Sequence, residues 1–390
     1  MEHANTILQY MENNQAEFEA LLEKAVCMET PTEGEKDDLA ACRRFFADLF
    51  EGIGFSVSVL PSGDDRYGDH LLAEYGEGED SLLFVGHFDT VFEKGSFQPL
   101  WARDGGKAHG PGVLDMKGGI LQIYRVCKVL IGQNLLPQGK KLTVFLNSDE
   151  EPGSYSSQTY TKQLAQNARA AFIMEPSFDD RIGGLKIGRY GRSVYTIRAK
   201  GRSAHSGNEP EAAASALIEL SRQALALEAM SKLDGSGHLT VACTSLLSGN
   251  PAFCTVPGEG ALSLDVRFSN QALGDDFDRK VRSLTPINPS VTLTVEGGIN
   301  KPPYDADAPA NKALFERACR IGQALGIEAW GRMVRGGSDG NFTSSVGCPT
   351  LDGMGLTGRF LHQTGEYANV DQAAKRAAWV ALLALDVLGD

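Results

Sequence analysis

The apolar run Leu82 to Val85 reads as a buried strand, yet it leads directly into His87 and Asp89. An imidazole and a carboxylate two residues apart at the end of a core strand suit a metal ligand whose ring the neighbouring acid orients. Other segments end in groups of the same kind. "GPGVLDMKGG" supplies Asp115, "FLNSDEEPGS" supplies Asp149, Glu150 and Glu151, "FIMEPS" supplies Glu175, and "FLHQTGEY" supplies His362 and Glu366. Singly, most have ordinary readings: His87 as a hydrogen-bonded polar residue, Asp115 as the N-cap of a helix starting near Lys117, Glu150 and Glu151 as a solvated turn. Glu175 is different, because a carboxylate directly after "AAFIM" leaves a core strand and must find a partner or water. Asp149 and Glu366 read as surface or supporting groups.

Taken together, two imidazoles and three carboxylates converging on one edge make a mixed nitrogen and oxygen site suited to zinc, with cobalt or manganese as alternatives. Five ligands, one of them a bridging carboxylate, can hold two ions about 3.5 to 4 Å apart, the geometry that activates water for hydrolysis.

The elements that must position these residues follow from apolar periodicity. Helices are predicted near 7–25, 36–52, 117–134 and 155–167, and strands near 55–60, 70–75, 81–86, 141–148 and 170–175, an α/β layered arrangement that places ligands at strand ends. From about Arg192 the order becomes βαββαβ, the split ferredoxin-like unit. The segment "NKPPYDADAPAN" carries three prolines that cannot serve a ladder and marks the return to the first domain, completed by helices near 311–326 and 371–388. The predicted boundaries are 1–188, 189–302 and 303–390, the middle segment being inserted.

Composition removes several function classes. Lys and Arg total 37 against 50 Asp and Glu, a net charge of -13 that repels nucleic acid and anionic membranes. The N-terminal stretch mixes acidic and apolar residues at helical spacing and reads as a helix rather than a signal peptide, and no segment approaches a membrane span. Seven scattered cysteines without CxxC spacing read as reduced core thiols of a cytoplasmic protein.

"GHFDTV", "GPGVLDMKGG", "SDEEPGS", "MEPS", "GRSAHSG" and "HQTGEY", in that order over nearly the whole chain, resemble the motifs of the dinuclear zinc amidohydrolase and metallopeptidase superfamily of glutamate carboxypeptidase, aminoacylase and acetylornithine deacetylase. The resemblance is nearest the glutamate carboxypeptidase branch. It implies a mixed-sheet zinc-peptidase catalytic domain, 1–188 and 303–390, with an inserted ferredoxin-like α+β lid and dimerisation domain, 189–302. It further implies that His87 and Glu175 hold one zinc, Glu151 and His362 the other, and that Asp115 bridges them. Glu150 would be the general base. His205 would reach the partner subunit's site to stabilise the oxyanion, making the protein a homodimer with a shared site. Asn250, Arg267 and the loop carrying Gly337 and Ser338 match positions used around the substrate carboxylate. Lys301 stands where glutamate-specific members carry Arg, and Lys lacks the planar fork. The implied activity is release of a C-terminal amino acid from a small or short-peptide substrate with a free carboxylate. N-acyl amino acid deacylase or dipeptidase is the alternative, and a non-catalytic dimeric binding protein a remote one.

Overall fold

The computed structural model describes residues 3–234, 237–249 and 253–389. It divides into two compact units, one of Met1–Arg189, Asp305–Val334 and Ser338–Asp390, the other of Tyr190–Tyr304 with Arg335–Gly337.

The first unit is built on an eight-stranded mixed sheet. Its strands lie in the order Ser56–Leu60, His70–Tyr75, Lys140–Asn147, Asp80–His87, Ala168–Ile173, Thr350–Asp352, Gly184–Arg189, Trp330–Val334. Asp80–His87 runs parallel to both its neighbours and is buried along nearly its whole length. A central strand covered on both faces has no reason to alternate, which is why its sequence is a continuous apolar run. The helices Lys117–Gly132 and Ala373–Leu388 supply much of the main core, including Ile120, Ile123, Trp379 and Leu383.

The start of Lys117–Gly132 explains the "KGG" of its motif. A Cβ on Gly119 would stand 2.0 Å from the Met174 carbonyl oxygen, and one on Gly118 would stand 2.4 Å from Leu356 Cδ1. Only glycine lets the helix begin this close to the end of the neighbouring strand. That approach sets Asp115 beside Glu175.

Three details depart from the expected elements. The predicted N-terminal helix is two, Ala4–Asn13 and Gln15–Val26, because the Asn14 side chain and backbone amide both turn back to the Tyr10 carbonyl. Lys301, assigned to the proline-rich return segment, still belongs to the ladder of Thr292–Lys301. Short strands are expected between the last two helices without a range; two of them, Gly358–Arg359 and Tyr367–Asn369, join Ala102–Asp104 and Lys107–His109 in a small sheet that was not anticipated, since strands this short show no period. Its hairpin carries the loop of His362 and Glu366.

The second unit contains a five-stranded antiparallel sheet in the order Lys232–Asp234, Gly237–Ser248, Glu259–Phe268, Gly191–Lys200, Thr292–Lys301. With the helices Ala216–Glu228 and Gln271–Arg282 it is the βαββαβ ferredoxin-like arrangement with one added edge strand. Gly191–Lys200 alternates buried and partly exposed residues, and Tyr195, Ile197, Leu220, Leu264 and Phe277 share its core. The cysteines are all free, but Cys27, Cys243 and Cys254 are exposed, so the reading of all seven as core residues is corrected for these three.

Candidate metal centre

His87 is the last residue of its strand and is buried, with its ring fixed from behind. Its Nδ1 lies 3.1 Å from the Asp89 carbonyl and 3.3 Å from Asp89 Oδ1, which turns Nε2 into the site. Asp89 has further work. Its carboxylate accepts from the Thr32 hydroxyl at 2.7 Å, the Glu150 amide at 3.3 Å and the Glu151 amide at 3.2 Å. One acid therefore joins the imidazole to the turn that carries both glutamates.

Asp115 is not the N-cap of the helix that follows, a position that Met116 holds. Its Oδ1 lies 3.2 Å from His87 Nε2 and its Oδ2 lies 3.3 Å from His362 Nε2. Glu175 Oε1 stands 3.5 Å from His87 Nε2, and Glu151 Oε2 stands 3.2 Å from His362 Nε2. Donors 2.0 to 2.2 Å from one tetrahedral zinc are separated by about 3.3 to 3.6 Å, the edge of the coordination tetrahedron, so these contacts have the spacing of ligands sharing an ion. The residues fit two such ions: His87 and Glu175 would hold one, Glu151 and His362 the other, and Asp115 would serve both.

Glu150 is buried, and its carboxylate lies within 4.8 Å of the ligand atoms of His87 and Glu175. The solvated-turn reading of Glu150 and Glu151 does not hold. Asp149, also buried, accepts the Ser156 amide and hydroxyl at 2.6 and 2.8 Å and so anchors the turn to the start of Gln158–Gln166. Glu366 accepts the Leu114 and Asp115 amides at 2.8 and 3.1 Å. Both are supporting groups and neither is on the surface.

The crowding of carboxylates around two imidazoles makes a site that favours positive charge. Burial opposes protonation of His87, yet Asp115, Asp89 and Glu175 raise its pKa well above the usual value. Asp115 and Glu151 raise that of His362 to about 11. Burial pushes the Glu151 carboxyl up to about 7 against the pull of His362. Burial and Asp115 also oppose ionisation of Glu175, but Lys186, Arg189 and His87 hold it at about 2.

Lys186, Arg189, Asp339 and Asp352 were not singled out in the sequence. Lys186 Nζ and Arg189 Nη2 lie 3.5 and 3.2 Å from Glu175 Oε2. Asp339 accepts Asn147 and Ser154 side chains at 2.5 and 2.7 Å. A lysine and an arginine on a strand ordinarily mark its wet face, and no local spacing distinguishes this pair. Ser338 is buried, its hydroxyl donating to Asp352 at 2.6 Å and accepting from the Gly340 amide at 3.0 Å.

Within the second unit, Arg192, Arg267 and Lys301 stand at one level of three adjacent strands. Asp265 pairs with Arg192 and Arg267, each at 2.7 Å. His205 is exposed, and its Nδ1 accepts the Gly207 and Asn208 amides at 3.1 Å each, which leaves the proton on Nε2. Gly337 is partly buried, and Asn250 lies outside the described residues.

A mixed α/β scaffold that gathers two imidazoles and several buried carboxylates into one cluster, from strand ends and the loops beside them, is that of a metallohydrolase. The model of peptidase family M20/M25/M40 matches residues 83–386, and the chain belongs to that family. It is accordingly a hydrolase of amide bonds. Carboxypeptidase G2 of Pseudomonas sp. strain RS-16 is 29% identical over 397 residues, spanning 98% of this chain and 92% of that protein. Succinyl-diaminopimelate desuccinylase of Rhodospirillum centenum is 27% identical over 340 residues, spanning 82% and 84%. The crystal structure of a tripeptidase from Staphylococcus aureus shares the fold with a TM-score of 0.74 at 19% identity, covering 97% of this chain and 99% of that one. Among the described residues, no helix is long and apolar enough to cross a membrane.

Proposed function

We propose that the protein is a zinc-dependent carboxypeptidase that releases a C-terminal amino acid, in the manner of a glutamate carboxypeptidase, from a short peptide or acyl amino acid. The observation that carries this reading is Asp115, with one carboxylate oxygen toward each imidazole and Glu150 alongside. His87, Glu175 and one Asp115 oxygen would hold one zinc; Glu151, His362 and the other oxygen would hold the second. Cobalt or manganese would be accepted by the same donors. When bound, the metals supply Lewis acidity toward the scissile carbonyl and a water nucleophile available at neutral pH. Glu150 takes the proton from the attacking water and returns it to the leaving amine.

His205 is proposed as the oxyanion donor, acting on the partner's site in a homodimer. Two amides accepted at Nδ1 leave Nε2–H as a donor of settled tautomer, which supports that role. Residues 1–188 and 303–390 would form the catalytic domain and 189–302 the lid and dimerisation domain. Arg267 and Lys301, with Asn250, Gly337 and Ser338, would surround the substrate carboxylate. Three cations, Arg192, Arg267 and Lys301, stand at that level against the one acid Asp265, an excess that supports an anion there, while Ser338, its hydroxyl engaged with Asp352 and its amide with the Asn341 side chain, would shape the pocket rather than donate. Seven free thiols support a reducing, cytoplasmic location.

A second reading, N-acyl amino acid deacylase, is favoured by the likeness to a desuccinylase at almost the same identity as to a carboxypeptidase. Hydrolysis assayed side by side on acyl-glutamates, dipeptides and N-acetyl or N-succinyl amino acids separates the two. A higher kcat/KM on acyl-glutamates and peptides is expected, and a preference for the simple acyl amino acids would transfer the assignment to deacylase.

A further inference from the structure

Behind Glu175 lies a chain of buried ionic groups that the hydrolytic reading does not use. Asp352, at the end of Thr350–Asp352, is fully buried. It holds the Arg189 guanidinium side-on, Nε to Oδ2 at 2.6 Å and Nη2 to Oδ1 at 3.1 Å. The Ser338 hydroxyl reaches Oδ2 at 2.6 Å and the Gly353 amide reaches Oδ1 at 2.5 Å. Through Nη2, Arg189 also contacts Glu175 Oε2 at 3.2 Å, and Lys186 adds a second cation to that oxygen at 3.5 Å. The other oxygen, Oε1, is the one facing His87. The two ends of one carboxylate are thus divided between a cationic wall and the metal side.

We propose that Asp352 is a positioning residue for the His87 and Glu175 metal site. By holding the Nε and Nη2 edge of the Arg189 guanidinium, it leaves Nη2 to touch Glu175 through Oε2 alone and leaves Glu175 Oε1 for a one-oxygen ligand. The physical reason is competition. A guanidinium in a dry interior pairs with carboxylates through two parallel bonds where it can, and a free fork facing Glu175 would take both of its oxygens. Asp352 satisfies the fork first and balances its charge. This inference rests on the reading of His87 and Glu175 as metal ligands.

The test is titration of metal-free protein with zinc against a chromophoric chelator, comparing the parent, Asp352→Asn and the double variant Asp352→Asn with Arg189→Met. The parent should bind two zinc ions. Asp352→Asn should keep one site unchanged and weaken the other about 10- to 100-fold, the range for losing a group that orients a ligand. In the double variant the competing cation is gone, and most of the lost affinity should return. A merely structural role for Asp352 would make the losses add instead. If Asp352→Asn does not fold, the double variant, in which the charged pair is replaced by neutral groups, decides alone by binding two ions at nearly parental affinity. Two equally tight sites in Asp352→Asn, or a double variant no tighter than the single one or lacking one site, would overturn the proposal and leave the metal reading intact. A parent that binds no zinc would overturn both.

Discussion

Glu150 and Glu151 are adjacent in sequence and both enclosed, yet the site gives them different neighbours. Both come within reach of His87, but Glu151 does so with Asp115 and also faces His362, whereas Glu150 does so with Glu175. Glu150→Gln is expected to keep both metals and lose about 10² to 10⁴ in turnover, the usual loss for a general base. Glu151→Gln should lower metal affinity first. Metal analysis and kcat on the two variants check this, and equal metal loss in both would contradict the division of roles. The imidazoles provide a pH prediction. Partners raise the His362 pKa to about 11, so in the metal-free protein its imidazolium contributes stability fully below its unfolded value of about 6.5 and loses it as pH rises toward 11. His87 is raised in the same direction. Metal can enter only as those protons leave, so loading at neutral pH should release at least about two protons, and affinity should rise with pH. Proton release measured in weakly buffered solution tests this, and zinc uptake without release would contradict it.

At the scale of elements, the close approach of Lys117–Gly132 to the end of Ala168–Ile173 is what brings Asp115 to Glu175. Gly119→Ala would press a methyl onto the Met174 carbonyl, 2.0 Å away. The expected cost is about 1 to 3 kcal/mol, as for other overpacked positions, with weaker metal binding. Denaturant unfolding and metal titration would show both, and an unchanged variant would contradict the packing argument. Long elements such as Asp80–His87, Lys117–Gly132 and Ala373–Leu388 were legible because burial imposes a period or an unbroken apolar run over eight or more residues. The hairpin that carries His362 was not, because strands of two or three residues leave no pattern. The motif acids and histidines could be read along the chain. Lys186, Arg189 and Asp352 could not, because their meaning lies in pairing through space with groups far away in sequence.

For the whole molecule, the role proposed for His205 calls for two chains per functional unit. The second unit exposes the large apolar side chains Leu217, Ile218, Leu225, Leu233, Leu247 and Phe253. Self-association would cover them with closed symmetry. Mixing Glu150→Gln with His205→Ala under subunit exchange should restore about a quarter of parental activity, since about half the dimers are mixed and each has one complete site. Verified exchange without recovery would remove His205 from a shared site. The central claim, that this chain hydrolyses amides through two metals held by His87, Asp115, Glu151, Glu175 and His362, is tested most directly by counting metal against activity in one preparation during chelation. The account predicts close to two zinc equivalents per chain, activity that falls as they are withdrawn, and recovery on adding zinc or cobalt. A metal-free preparation with full activity would contradict it.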